Sequence, residues 1–238
     1  MPLHKLKRGS GAFSFSISEF ALADSDFQDT NAGSWSRTVT LGTAAAGGEK
    51  RYFILCLESY SDDAVASTHD GSIVSIGGNS CTFIASSFYD FGSFQINNSL
   101  WYVQIDAGTG DVTMSFNPPS NHYGFGLGMW RFRFDSDATF GIRDTDKASG
   151  TSAGLSISNL ACQRGSPVVF ASATANSGAT IAWTGDPTED WDHDIQSSEI
   201  CSGASLLASA ALHNATATVN SAPDGHCLVG ASIQLTAV

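Results

Sequence analysis

The chain is short of charge. Lys, Arg, Asp and Glu make up only 14% of its 238 residues, and 11 basic residues against 23 acidic ones give a formal net charge of −12. Phosphate binding needs clustered Lys and Arg, so the composition excludes a nucleic-acid partner for the body of the chain. No apolar run approaches the roughly 20 residues of a membrane span, and the start lacks the apolar core of a signal peptide. We therefore expect synthesis in the cytoplasm and no membrane partner.

Catalytic motifs are missing as well. The chain has no G-x-S-x-G, H-E-x-x-H or P-loop pattern, and its six histidines stand far apart. A Ser-His-Asp triad need not be contiguous, but no serine has an activating context, so we expect loop histidines and no enzyme activity. The five cysteines are odd in number and form no C-x-x-C pair, which predicts reduced thiols, mostly in the core.

Strand patterns, by contrast, are abundant. The segment "FSFSIS" (13–18) alternates apolar residues with serine, the period of a half-buried strand. The runs "RYFILCL" (51–57) and "LWYVQI" (100–105) are apolar, aromatic or β-branched, which is typical of strands buried on at least one face. Paired glycines punctuate these runs as turns. The sequence predicts an all-β protein with little or no helix.

Residues 38–134 and 155–238 share a weak internal repeat. Each unit has a short strand, a small-residue loop, a long apolar strand, a strand ending in glycine, a hairpin-like pair and a long closing strand. The last three correspond as 73–78 with 180–185, 100–116 with 204–220, and 122–134 with 226–238. Several matching elements in one order indicate duplication. We predict two related β-sandwich, jelly-roll-like units in tandem.

The repeat sets the predicted domain boundaries. Residues 1–35 form an N-terminal arm and first strand, 36–135 the first unit, 136–154 a linker and 155–238 the second unit. The linker prediction rests on its polar, acidic composition, which is rich in Gly, Ser and Thr. Whether the two units share one core is left open by the sequence.

The stretch "WTGDPTEDWDHDIQSSEIC" (183–201) holds six carboxylates and one histidine. Asp190, Asp192 and Asp194 are spaced like the first three ligands of an EF-hand loop. Ile195 and Cys201 stand where such a loop needs glycine and a bidentate glutamate, so that motif fails. A looser Ca²⁺ site built from these aspartates remains the alternative to having no metal or other cofactor.

An extended backbone gives this stretch a structural interpretation. The three aspartates would share one solvated face, while Trp191, His193 and Ile195 would share the other as an apolar anchor. A glycan hydrolase would instead need two carboxylates about 5 to 10 Å apart across a cleft. We favour the solvated face.

Aromatic rings offer a second binding chemistry, because Trp and Tyr stack on the apolar faces of sugars. The candidates for glycan contact are Trp183, Trp191 and Tyr89, the last within an aromatic run that includes Phe88 and Phe91. Core or interface packing is the alternative use of these rings.

Three of the eleven Lys and Arg residues fall in the first eight positions, within "MPLHKLKRGSG". This segment is either a frayed terminus or an arm with a binding role. A basic arm can dock on an acidic neighbour, such as another copy of the same protein, and an exposed strand can extend a neighbour's sheet. The candidates for attachment are Lys5, Lys7 and Arg8 in the arm, and Phe13, Phe15 and Ile17 in the first strand.

Four short motifs carry a resemblance to a known group. They are Leu41-Gly42 at a strand end, Arg51 opening the next strand, Ile76-Gly77-Gly78 at a turn, and "WTGDPTED" (183–190). In these the chain resembles β-sandwich virion structural proteins of tailed bacteriophages and prophages, especially those of alphaproteobacteria and marine bacteria. The resemblance spans about residues 36–238 and rests on turn and packing signatures.

The resemblance implies a non-enzymatic virion protein, either a capsid decoration or a tail-associated component, present in multiple copies. Its partners would be other virion proteins and copies of itself, and its location the virion after synthesis in the bacterial host. The first 35 residues depart from the group and are the expected attachment device. The alternative function is a host-surface glycan-binding module in an adhesin or fibre, and after it a glycan hydrolase.

Overall fold

The computed structural model describes residues 16–28, 34–61, 69–92, 94–118, 122–135, 137–176, 178–195 and 199–237, and this part of the chain is all-β. The strands in chain order are β1 (Ile17–Gln28), β2 (Trp35–Thr40), β3 (Glu49–Ser61), β4 (Ile73–Ile76), β5 (Asn79–Ser80), β6 (Thr82–Asp90), β7 (Gln95–Gln104), β8 (Asp111–Asn117), β9 (His122–Asp135), β10 (Ala138–Gly150), β11 (Gly154–Ala161), β12 (Pro167–Ala175), β13 (Ile181–Gly185), β14 (Thr188–Ile195), β15 (Glu199–Leu207), β16 (Leu212–Val219) and β17 (Gly225–Ala237).

The strands form four antiparallel sheets, two in each half of the chain. In the first half, an inner sheet has the order β1-β9-β3-β7-β6 and an outer sheet the order β2-β8-β4-β5. In the second half, the inner sheet has the order β10-β17-β12-β15-β14 and the outer sheet β11-β16-β13. Strand for strand the two orders correspond, apart from the short β5. A duplicated unit would produce this correspondence; the duplication itself stays a prediction.

The four sheets stack as layers with three hydrophobic cores between them. A first outer core lies between the outer and inner sheets of the first half, and a second outer core lies between those of the second half. A middle core joins the two inner sheets and draws side chains from both halves. The question left open by the sequence is thereby answered, because the halves share a core.

Strand β3 shows why the central strands are apolar almost throughout. Ile54 and Cys56 belong to the middle core, whereas Phe53 and Leu55 belong to the first outer core, and all four are fully buried. A strand covered on both faces needs apolar side chains at successive positions rather than at alternate ones. The prediction that "RYFILCL" is a buried strand is confirmed.

The two inner sheets meet with approximate twofold symmetry. On one side β1 of the first half contacts β14 of the second, and on the other side β6 of the first half contacts β10 of the second. Phe27 lies 5.7 Å from His193 between ring centroids, and the Ser87 hydroxyl donates to the Ala148 carbonyl at 2.8 Å. Each edge strand of one inner sheet is thus flanked by an edge strand of the other.

Two predictions about organisation are wrong. Most of 136–154 is not an exposed linker, because β10 pairs there with β17 along its whole length. Its polar sequence reflects an edge position, where most side chains of the strand remain exposed or half-buried. The hairpin-like pairs are also not hairpins, since β7 and β15 lie in inner sheets whereas the strands that follow them, β8 and β16, lie in outer sheets.

Candidate functional site

The middle of the acidic stretch forms β14 (Thr188–Ile195), an edge strand of the second inner sheet. Of its other carboxylates, Asp186 lies 3.0 Å from Nδ1 of His213, and Glu199 is buried at the start of β15. Trp191 and Ile195 are buried and Asp192 and Asp194 are exposed, so these positions follow the predicted alternation. His193, predicted to point inwards, is half-buried against Phe27. The strand therefore has an acidic outer face and an apolar inner anchor.

Asp190 departs from the predicted shared face. The pairing of β14 with β15 shifts register between Glu189 and Trp191, which leaves Asp190 without a regular partner. Its Oδ2 accepts a hydrogen bond of 2.7 Å from Nε1 of Trp130, a fully buried ring of the middle core. Asp190 thereby satisfies a buried donor of the other half and is not a free metal ligand.

The remaining carboxylates repel one another. Although the Asp192 side chain reaches solvent, desolvation of its carboxyl group by the surrounding protein atoms, followed by the charges of Glu189 and Asp194, raises its pKa to about 6. In the part of the chain that the structure describes, no group of three or more His, Cys, Asp or Glu side chains is arranged to hold a metal ion. The candidate Ca²⁺ ligands Asp190, Asp192 and Asp194 are not gathered around a common point.

Trp191 is not an exposed sugar platform. Its side chain is 5% exposed and lies between the two inner sheets, over Gly128 of β9 and Gly203 of β15. A Cβ atom at Gly128 would lie 2.3 Å from the indole, and one at Gly203 would lie 2.2 Å from it. The glycan prediction for Trp191 is corrected, because the two glycines form the slot that buries the ring.

Trp183 is also engaged, in the second half. Its Nε1 donates a hydrogen bond of 2.7 Å to Oγ of Ser202, and its ring packs against Phe170 of the second outer core. The side chain is half-buried. Trp183 contributes mainly to packing, with one edge left towards solvent.

Tyr89 has different surroundings, at the groove where β6 and β10 run side by side. Two adjoining cavities of about 430 and 400 Å³ lie along this groove and share Lys147 as a lining residue. The remaining lining residues are aromatic, acidic, hydroxyl-bearing or small: Asp70, Phe83, Ala85, Ser86, Ser87, Phe88, Tyr89, Asp90, Thr145, Asp146, Ala148 and Ser149. We call this the β6–β10 groove.

Among the attachment candidates, Lys5, Lys7, Arg8, Phe13 and Phe15 lie outside the described residues. Ile17 opens β1 and pairs with Phe134 of β9, so the predicted first strand continues into an edge strand of the first inner sheet.

Glu19 anchors the start of β1. It accepts hydrogen bonds from Arg131 at 2.5 Å and from Arg133 at 2.7 Å. Burial alone would raise the pKa of Glu19, but the two arginines outweigh it and hold the pKa below its usual value. The strand is therefore fixed to the body on one edge, and its other edge has no strand partner among the described residues.

The motifs of the resemblance have structural roles. The Arg51 guanidinium is fully buried and donates to the carbonyls of Leu41, Thr43, Ile105 and Ala107, at 2.6 to 3.4 Å. This Arg51 clamp fastens the loop that precedes β3 and the loop that follows β7 to the N-terminal end of β3. Gly77 and Gly78 have φ of +56° and +80°, as a tight turn between β4 and β5 requires. These residues serve turns and packing, as the sequence indicated.

Sequence reasoning missed a buried polar cluster in the first half. Oγ of Ser59 lies 2.6 Å from Nε2 of His69 and 2.6 Å from Nδ1 of His122, and Nδ1 of His69 lies 2.6 Å from Oγ of Ser99. The side chain of Trp101 completes the cluster by donating to Ser99 at 2.9 Å. Burial, and then the neighbouring His122, lowers the pKa of His69.

The loop prediction agrees with the position of His69 between β3 and β4, although its ring is buried in the interior. It is wrong for four histidines that lie in strands: His122, His193, His213 and His226. Neither His69 nor His122 is more than 1% exposed, so the cluster has no contact with solvent through these rings. The cysteine prediction is confirmed: all five are free thiols, and four of them are buried.

No protein-family model matches the chain, and a search of curated proteins found no match. The described part of the chain contains no helix long and apolar enough to cross a membrane.

Proposed function

We propose that this chain is a structural protein of a tailed-phage virion, present in many copies on the capsid or tail and without catalytic activity. The observation that carries the proposal is the distribution of reactive groups. The Ser59, His69 and His122 cluster and four of the five thiols are sealed between sheets, where they serve packing. The exposed surface offers strand edges and acidic or small side chains instead.

Strand edges suit assembly, because an outermost strand has a row of backbone groups with which a neighbouring chain can pair. Strand β1 is such an edge, and Phe27 near its end is 43% exposed. The basic arm that precedes β1 would reach an acidic neighbour, and the exposed face of β14 on a second copy is of that kind. Many modest contacts in a lattice hold strongly because linked binding raises the effective affinity.

Mass spectrometry of purified particles tests this proposal. We expect the chain to remain in particles after density-gradient purification and a high-salt wash, at a copy number that separates a capsid decoration from a tail component. Its absence from such particles would contradict the proposal.

The role of the basic arm is tested separately, by reversing Lys5, Lys7 and Arg8 to glutamate in the full chain. We expect a loss of particle binding, whereas the exposed Arg143→Glu in β10 leaves binding unchanged. Equal binding by both variants would remove the arm from the attachment site.

A second candidate function, glycan binding, is favoured by the β6–β10 groove. Its combined lining of aromatic rings, carboxylates and hydroxyls matches the chemistry that sugars need, and each cavity has the volume of a small-molecule site. A glycan array with Phe88→Ala tests it, and Phe94→Ala serves as a control because Phe94 is exposed outside the groove. Binding that survives Phe88→Ala, or no binding by the parent, argues against this function; release of cleaved sugar would indicate a hydrolase.

A further inference from the structure

Glu58 of β3 is a buried carboxyl group without a partner. It is 0% exposed, and neither of its carboxyl oxygens has a hydrogen-bond partner. It stands opposite Asn98 of β7 and Gly126 of β9 in the first inner sheet. The amide nitrogen of Asn98 also lacks a partner, so even this adjacent donor does not reach the carboxyl group.

The carboxyl group lies in the contact between the two halves. A Cβ atom at Gly126 would lie 3.1 Å from Oε2 of Glu58, 2.4 Å from Sγ of Cys201 and 3.0 Å from Cδ1 of Ile195. Cys201 and Ile195 belong to the second inner sheet, so the absence of a side chain at Gly126 creates the space in which Glu58 meets the other half.

Among the described residues, no cationic side chain compensates a charge at this position, and burial is the one influence on the pKa of Glu58. Glu58 acts electrostatically on three described thiols, Cys56 on its own strand, Cys201 on β15 and Cys227 on β17. Cys201 also feels the carboxylates of Asp192 on β14 and Glu199 on β15. Strands β7 and β9 contribute Asn98 and Gly126 opposite it, and β12 contributes alanines to the middle core. Burial raises the pKa of Glu58 well above its usual value, and burial followed by Glu58 raises the pKa of the three thiols.

The thiols do not form an alternative bond. Cys201 and Cys227 pair with Ala173 from its two sides, which puts them about 10 Å apart across two strand spacings. That separation is too long for a disulfide. Cys56, Cys201 and Cys227 are instead three separate thiols whose reactivity reports whether the middle core is closed.

We propose that Glu58 is a proton-dependent latch between the two halves: the inner sheets pack against each other only while its carboxyl group is uncharged, and loss of the proton opens the middle core before the outer cores. A bare carboxylate here would lose its hydration without gaining a partner. Opening the sheets lets water reach it.

The sign of the pH dependence follows from linkage. The closed state holds a proton that the opened state releases, so the closed state is most stable below the ordinary carboxyl pKa and loses stability as the pH rises towards the raised pKa of Glu58. Between these two pKa values, one proton is released per opening. The opening equilibrium then increases about tenfold for each pH unit.

Alkylation of native full-length protein with iodoacetamide between pH 6.5 and 9.5, read by peptide mass spectrometry, tests the latch. The rate at Cys201 and Cys227 is divided by the rate for Glu58→Gln at the same pH, which cancels the intrinsic increase in thiol reactivity. We expect this ratio to increase about tenfold per pH unit. Cys162, buried in the second outer core, should show no such increase.

Matched variants make the outcomes decisive. Glu189→Gln, on the exposed part of β14, should keep the wild-type profile. Glu58→Met provides a second non-titrating side chain if the glutamine variant does not fold. A constant ratio, an equal increase at Cys162, or loss of the increase when Glu199→Gln replaces the wild type in the ratio would each overturn the proposal.

Discussion

The two halves share a strand order but differ in the size of the side chains that they present to each other. The first inner sheet brings large rings to the middle core, among them Trp130, Phe132 and Phe134. The second inner sheet brings mainly alanine and valine, with Ala171, Ala173 and Ala175 on β12. Large groups on one face fit against small groups on the other, as close packing requires. The two halves thus have the same strand order, but the faces that they present to the middle core are complementary and not interchangeable.

The halves also differ in how they handle buried polar groups. The first half contains the Arg51 clamp, the two-histidine cluster and Glu58, whereas the second half buries no arginine or lysine among its described residues. Its buried His226 has a simpler environment, with Ser172 at 2.8 Å and the Ser152 carbonyl at 3.1 Å. The second half also buries Glu199 and His213, so the halves differ in the arginine clamp and the two-histidine cluster rather than in whether they bury polar groups.

The largest expected effect is from Arg51→Met. This substitution removes the Arg51 clamp of the first half, for which the described residues of the second half have no equivalent. The change leaves the carbonyls of Thr43, Ile105 and Ala107 without their charged donor, and we expect a loss of about 4 kcal/mol in the free energy of unfolding. The Leu41 carbonyl keeps its hydrogen bond of 3.0 Å from Arg131. Arg164→Met is the control, because Arg164 is exposed and donates only to Ser209, and it should cost at most about 0.5 kcal/mol. Denaturant unfolding measures both. Equal effects would mean that the clamp does not stabilise the fold.

Gly128→Ala is expected to be next in size, because it fills the slot that receives Trp191 from the other half. The new Cβ would lie 2.3 Å from the indole, and we expect a loss of about 3 kcal/mol from overpacking. At Gly141 the nearest atom to a new Cβ is 4.0 Å away, so Gly141→Ala is a matched control that should be nearly neutral. The measurement is again denaturant unfolding. An unchanged free energy of unfolding in Gly128→Ala would contradict the proposed close packing of the Trp191 indole over Gly128.

Asp190→Ala tests the polar contact between the halves. It removes the acceptor of the buried Trp130 indole N–H, and we expect a loss of about 1.5 kcal/mol. The exposed Asp194→Ala on the same strand should change the free energy of unfolding by less than about 0.5 kcal/mol. If the two substitutions lower the free energy of unfolding equally, the hydrogen bond between Asp190 and Trp130 does not stabilise the fold.

The smallest effect is a difference in acid sensitivity. The pKa of His69 is lower folded than unfolded, so the unfolded state binds the extra proton and stability is lost as the pH falls below about 6.5. The slope is at most about 1.4 kcal/mol per pH unit for one group. We expect the slope of the unfolding free energy between pH 7.5 and 5 to be smaller in His69→Gln than in the wild type. Identical slopes would show that His69 titrates normally.

The sequence predicts the strands well where the pattern is local. The alternation in 190–195 correctly predicts that Trp191 and Ile195 are buried. Strand β3 is apolar at successive positions because both of its faces are covered by other sheets. The polar β10 was missed because an edge strand buries little and so lacks the pattern of a buried strand. Pattern alone also does not distinguish consecutive strands in one sheet from strands in facing sheets.

The buried polar groups were missed for a different reason. Ser59, His69 and His122 are up to 63 residues apart, and only the fold brings them together. Glu58 is the single carboxyl residue of the apolar run 52–60 within β3, and its lack of a partner depends on strands distant in sequence. A charged residue within an otherwise doubly buried strand is a usable signal for such positions.

The order of the strands along the chain has a consequence for synthesis on the ribosome. The first half emerges first and contains every strand of its own two sheets, so its sandwich can close early. Its aromatic inner face, however, stays uncovered until β17, which follows the other strands of the opposing sheet along the chain, takes its place between β10 and β12. Nascent chains that stall before that point would expose this apolar surface and could aggregate through it. We therefore expect truncated chains that lack β17 to depend more on chaperones than the chain with all of these strands.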